Sequence, residues 1–211
     1  MHYYIKAKVP HSYRLKNIWT YYAYIGIIVW ICSTMFHSRD FWLTELLDYF
    51  SACGIIVYAM FASISFAVPW FQMSKIGRVV WKIIGSGFLI FYLYHIYSLW
   101  IKFDYAYNML CCIVCSLTTS FLYLVWAGYE IYNGQKRKSL AYLVATIVVG
   151  LGSVLFEVFD FPPFFWIIDA HSLFHLATVP TPFLLAKFVE TEASYEMRRR
   201  KYDDGIFDKN V

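Results

Sequence analysis

Charge is in short supply in this sequence. Only 15% of its 211 residues are Asp, Glu, Lys or Arg, while 60% are hydrophobic and 22% aromatic. A soluble domain of this size carries about 25% charged residues, so an ordinary water-facing globule is excluded. Internal repeats, low-complexity stretches and long linkers are also missing. There is thus no signature of a repeat array, and the short loops favour up-and-down neighbours. The basic start, "MHYYIKAKVPHSYRLKN", is not followed by a short apolar stretch with a small-residue cleavage site. No cleavable signal peptide is expected, and the first span is expected to serve as an uncleaved anchor.

Cysteine is scarce too. Cys32, Cys53, Cys111, Cys112 and Cys115 are an odd set, all inside apolar runs, which argues against a disulfide framework. The "CCIVC" string lacks the partner pair of a metal motif, so these thiols are expected to pack.

What the chain has in quantity is long apolar runs, each able to cross a hydrocarbon core of about 30 Å. Six are expected, at about 18–36, 48–68, 79–101, 109–132, 139–159 and 166–189. Runs of this length exclude barrel strands, and only helices or closed barrels satisfy a backbone in lipid. The fold class is therefore all-α, a polytopic membrane helical bundle. Residues 1–17 form a basic N-terminal segment, 18–189 the six-helix domain and 190–211 a tail.

The net charge of +4 matters less than its placement. Lys6, Lys8, Arg14 and Lys16 precede the first span. Lys75, Arg78 and Lys82 follow the second, and Lys136, Arg137 and Lys138 the fourth. Lys187, Arg198, Arg199, Arg200, Lys201 and Lys209 close the chain. With six spans, these 16 of the 18 Lys and Arg fall on one side, leaving Arg39 and Lys102 opposite. The positive-inside rule makes the basic side cytosolic and puts both termini there. Topology and attraction to anionic lipid account for the basic tail, and no nucleic-acid partner is expected. Glu130, near the cytosolic end of span four, is expected to pair with a nearby cation.

Depth then sorts the polar residues. Ser33 and His37 lie in the last non-cytosolic turn of span one, and Asp48 lies near the start of span two. His171 and His175 lie in the first two turns of span six. Three helices thus contribute to one layer. A lone membrane histidine is more often a helix–helix hydrogen bond, and a lone serine a packing residue. Ionisable groups at this depth are nevertheless rare and usually functional, and here several coincide. Residues four apart share a helical face, so His171 and His175 form a two-tooth clamp that His37 would complete. Three imidazoles with an open fourth position suit catalytic zinc, which lowers the pKa of its water to about 7. Asp48 would orient that water and take its proton. Ser33, one turn from His37, would donate to a carbonyl oxygen or to the water. The expected chemistry is hydrolysis of a lipid ester or amide.

Glu157 and Asp160 end span five on the same side and are candidates to brace a histidine. Glu45, roughly on the face of Asp48, is a candidate for the mouth of the site, and His95, in the outer half of span three, is a candidate either to join the site or to pack. Asp169 points away from the histidine face and is expected to cap span six.

The S-x3-H, the aspartate and the H-x3-H resemble the CREST superfamily, which includes alkaline ceramidases, adiponectin-type receptors and GPI-anchor remodelling proteins. "STMFHSRDFWLTELLDYFSA" (33–52), "KFDYAYN" (102–108) and "FEVFDFPPFFWIIDAHSLFHLATVP" (156–180) look like segments of the Per1-like, GPI-remodelling group. The resemblance runs from about the first span to the tail. It implies removal of the sn-2 acyl chain from the lipid of GPI-anchored proteins, a phospholipase A2-like reaction. The site would lie on the lumenal side of the endoplasmic reticulum or Golgi membrane. The implied ligands are His37, His171 and His175, with Asp48 on the water and Ser33 as the superfamily serine. Members usually carry seven spans behind a cysteine-bearing lumenal domain, so this chain is expected to start at the family's second span. A ceramidase-like amidase, or a non-enzymatic metal-holding receptor or folding factor, is the alternative reading. Substrate lipid and membrane lipids are the expected partners. Oligomeric state leaves no mark in the sequence.

Overall fold

The computed structural model describes residues 1–135, 137–164 and 168–203. Lys136, Lys209 and Trp166, where the sixth span was expected to begin, lie outside the described residues. The described elements are all helical. They are α1 (His2–Lys8), α2 (Lys16–Ser38), α3 (Trp42–Ala67), α4 (Trp70–Met73), α5 (Lys75–Ile101), α6 (Tyr105–Tyr132), α7 (Lys138–Phe159), α8 (Ala170–Thr178) and α9 (Thr181–Asp203). Among the described residues, six stretches are long and apolar enough to cross a membrane: α2, α3, α5, α6, α7 and the α8–α9 stretch, Ala170–Tyr202. The all-α class and the span count agree with the sequence.

Two boundaries differ from the sequence reading in ways that matter. Helix α3 starts at Trp42, not near 48, because Thr44 secures the earlier turn. Its Oγ1 accepts from the Phe41 N–H at 3.2 Å and donates to the Arg39 carbonyl at 2.9 Å. Asp48 therefore sits in the second turn. The sixth span is two helices, broken at Val179–Pro180 where proline removes a backbone donor. Its second helix continues through Asp203, so most of the tail expected at 190–211 extends that helix.

The chain divides into two compact units, residues 17–126 and residues 1–16 with 127 onward. In the first, the buried positions of α3 are Thr44, Cys53, Val57, Ala62, Ser63, Ser65 and Phe66. Lipid is as apolar as leucine, so membrane helices associate through small residues and interhelical hydrogen bonds. Trp81 of α5 donates to Ser65 Oγ of α3 at 2.8 Å, and Tyr92 donates to the Phe50 carbonyl at 2.9 Å. Gly54 makes room for Tyr92, since a Cβ there would lie 2.8 Å from the tyrosine oxygen. Large apolar side chains such as Ile83, Leu89, Ile90 and Trp100 are exposed, as a lipid-facing surface requires.

In the second unit α7 packs on α8 and α9. Glu192 of α9 is 2% exposed and is partnered through Oε2. It accepts from Ser139 Oγ at 2.6 Å and pairs with Arg137 at 3.0 Å. Arg137 also reaches Glu130 at 3.0 Å, the cation partner expected for that carboxylate. The N-terminal segment is tied to α9 by Tyr4 donating to Glu190 and by an Arg14–Glu196 pair at 3.1 Å. Lys16 folds back, with Nζ donating to the Val9 carbonyl at 2.6 Å.

Candidate metal centre

The unit built on α7, α8 and α9 holds a histidine relay. Asp169 starts it by capping α8: its carboxylate accepts from the Ser172 N–H at 2.7 Å, and Ser172 Oγ accepts from the Asp169 N–H at 3.1 Å. This reciprocal box satisfies helix-end donors and sets where the first turn begins. The Ser172 N–H holds the Asp169 carboxyl below the usual carboxylate range.

His171 and His175 then emerge on one face of α8. Their Nε2 atoms lie 3.0 Å apart. Zinc–imidazole bonds of about 2.0–2.1 Å at tetrahedral angles would place two ligand nitrogens roughly 3.3 Å apart, so the pair needs little adjustment to hold an ion. Behind it, His171 Nδ1 donates to Glu157 Oε2 of α7 at 2.9 Å. That bond fixes the tautomer, leaving the Nε2 lone pair facing His175. A carboxylate behind a ligating imidazole is the recurrent outer partner of metal-binding histidines. The His171 side chain is 44% exposed and Glu157 only 17%, so the brace is shielded and the ligand edge is approachable. Phe174 flanks both imidazoles, with centroids 6.1 Å and 5.2 Å away. This donor set fits a divalent metal. Asp160, three residues after Glu157, caps α7 with a left-handed φ of 38°.

The other candidates lie in the unit spanning 17–126. Ser33 is buried at 6% exposure. His37 occupies the last turn of α2, beside Phe36 at 5.0 Å. Phe36 contacts Tyr49 at 6.3 Å, so the turn carrying His37 lies close to the turn of α3 carrying Asp48. Glu45, one turn earlier, sits in the first turn of α3, where a carboxylate favours the helix dipole. Tyr49 also meets Phe103 at 5.0 Å and Tyr105 at 5.8 Å, which walls this region with aromatics. His95 is fully buried and bonds through Nε2 to Asn108 at 3.0 Å. Asn108 escaped the sequence reading; its place three residues before Cys111 was the available signal.

Comparisons with known proteins point one way. A family model described as the Per1-like family matches residues 1–193. The chain is 30% identical over 194 residues to the "GPI-specific phospholipase A2-like PGAP3" of Cricetulus griseus, and 31% identical over 194 residues to that of Mus musculus. Each alignment covers 92% of this chain and 58% of the relative. It is also 29% identical over 204 residues to "Protein PER1 homolog" of Schizosaccharomyces pombe, covering 96% of this chain and 60% of that protein. The chain thus spans under two thirds of the length of these curated relatives. No solved structure matches it significantly. With a family model covering nearly the whole sequence, this multi-pass membrane chain belongs to the Per1-like family.

Proposed function

We propose that the protein is a metal-dependent lipid hydrolase of GPI-anchor remodelling, removing the sn-2 acyl chain from the lipid of GPI-anchored proteins. The observation that carries the reading is the Glu157–His171–His175 relay, two imidazole nitrogens 3.0 Å apart backed by a carboxylate at 2.9 Å. Support from kinship is the naming of the PGAP3 relatives as GPI-specific phospholipase A2-like. In this reading His37, His171 and His175 hold zinc, as their common depth in the sequence suggests.

Zinc held there would supply a water acidic enough to ionise near neutral pH and a positive charge for an ester carbonyl. Asp48 would orient the attacking water and accept its proton, then return it to the departing lysolipid oxygen. Ser33 Oγ donates to the carbonyl oxygen as negative charge develops there. Glu157 holds His171 so that Nε2, not Nδ1, is the ligand. Atoms balance as one water consumed, and one free fatty acid and one lyso-GPI released. The positive-inside rule supports a site on the non-cytosolic face with both termini in the cytosol, and kinship with the GPI-remodelling group makes that face the lumenal side of an endoplasmic reticulum or Golgi membrane.

The test is lipid mass spectrometry of GPI-anchored proteins from cells lacking their own remodelling activity and expressing this chain. The proposal expects lyso-GPI with the wild type and its loss with His175→Ala and Asp48→Asn alike. Lyso-GPI formation that survives Asp48→Asn would overturn the assigned chemistry.

A further inference from the structure

A second cluster, entirely within residues 17–126, has nothing to do with the histidine relay. Helix α5 faces lipid along most of its length, and its buried residues are Gly77, His95 and Leu99. One of the few positions α5 turns inward is thus an imidazole, fully buried. Its Nε2–H donates to Asn108 Oδ1 at 3.0 Å, so Nδ1 carries the lone pair. That nitrogen is buried and has no hydrogen-bond partner among the described residues. A buried acceptor left unpaired is costly, and in a membrane interior no bulk water relieves it.

Two thiols stand beside this imidazole. The ligand atoms of Cys53 from α3, His95 from α5 and Cys111 from α6 all lie within 4.8 Å of one another. Cys111 and Cys112 pack directly against buried Cys53 and Cys115, and all of these cysteines are free thiols. Tyr107 flanks the imidazole at 5.1 Å and restrains its ring. Packing alone would account for cysteines, but it does not account for an oriented imidazole whose second nitrogen is left without a partner.

We infer that Cys53, His95 and Cys111 form a thiolate–imidazole zinc site inside the membrane, tying α3, α5 and α6 together. Donor softness selects a thiophilic ion, and charge selects a divalent one. Two thiolates and a neutral imidazole around Zn2+ sum to zero, so the complex avoids the cost of net charge at membrane depth. Binding breaks two S–H bonds, forms two Zn–S bonds and one Zn–N bond, and releases two protons. The imidazole releases none, because its proton stays on Nε2 with Asn108. Tetrahedral zinc with these ligands needs donor separations of roughly 3.6–3.8 Å, so atoms that lie within 4.8 Å of one another close by at most about 1.2 Å. Asn108 is a positioning residue, the outer partner that aims Nδ1. This site stands independently of the proposed hydrolase.

The experiment is cobalt(II) titration of the full chain, purified in detergent under reducing, metal-free conditions. Wild-type protein is expected to develop thiolate-to-cobalt charge-transfer absorption, bleached by zinc. His171→Ala, which touches only the other centre, keeps the band, whereas Cys53→Ser/Cys111→Ser abolishes it. Asn108→Ala weakens zinc binding about 10- to 100-fold while the protein stays helical by circular dichroism. Because the wild-type spectrum needs no variant, a misfolded mutant cannot hide the answer. Well-folded wild type with no thiolate band at saturating cobalt overturns the site, as does a band that survives the double cysteine substitution.

Discussion

Glu157 and His171 lie 14 residues apart and on different helices, yet Glu157 Oε2 accepts the His171 Nδ1 proton at 2.9 Å. The bond turns a carboxylate at the end of α7 into the partner that orients an imidazole in the first turn of α8. Glu157→Gln keeps the shape but gives up the charge. It is expected to weaken zinc binding about 10- to 100-fold with helicity unchanged, read by competition against a coloured chelator. Unchanged affinity would mean that the carboxylate has no role in holding the metal.

Asp169 begins the helix that carries both histidines, and its cap is charge-dependent. Its carboxyl is held below its ordinary value by the Ser172 N–H. The stabilisation is therefore present above the unfolded-state carboxylate pKa and fades as pH falls through the lowered folded-state value. Asp169→Ala is expected to lower the thermal midpoint and loosen metal binding together. Asp169→Asn, which still accepts the Ser172 N–H, spares most of both and removes the acid dependence. Thermal scans across acidic pH check the sign.

Gly54 and Tyr92 form a space-for-bond pair, because the glycine lets the tyrosine oxygen reach the Phe50 carbonyl. Gly54→Val is expected to destabilise by about 1–3 kcal/mol through overpacking. Tyr92→Phe removes one hydrogen bond, worth about 1 kcal/mol. The double substitution is expected to cost less than the sum, which a thermal double-mutant cycle measures.

The Arg137–Glu192 pair is a test of burial. Their side chains are 8% and 3% exposed, and removing one partner of a buried pair costs about 3–5 kcal/mol. Glu192→Ala is expected near the lower bound, because Arg137 keeps Glu130 at 3.0 Å. Denaturant unfolding of the purified protein reads this difference.

The fold was largely legible because a bilayer writes itself into sequence as the length of apolar runs. Six apolar runs gave six spans, and Glu130 had its cation. Boundaries were less legible where a side chain rather than hydropathy decides them. Thr44 starts α3 a turn and a half early, and Pro180 splits a run whose composition hardly changes. The H-x3-H face of α8 follows from spacing alone. Its brace was only one of several nearby carboxylates until α7 and α8 were seen to pack. The thiols near His95 were the least legible, since Cys53, His95 and Cys111 come from three helices and no spacing rule links them.

The most direct measurement of the central claim is acyl release from purified GPI-anchored protein lipid by the detergent-purified full chain, with metal content determined on the same sample. The account predicts free fatty acid and lyso-GPI from zinc-loaded wild type, activity lost with chelator and restored by zinc. It predicts an Asp48→Asn protein that keeps its zinc but releases nothing. Folded, zinc-loaded wild type that leaves the GPI lipid intact, or release that persists in His171→Ala, would contradict it.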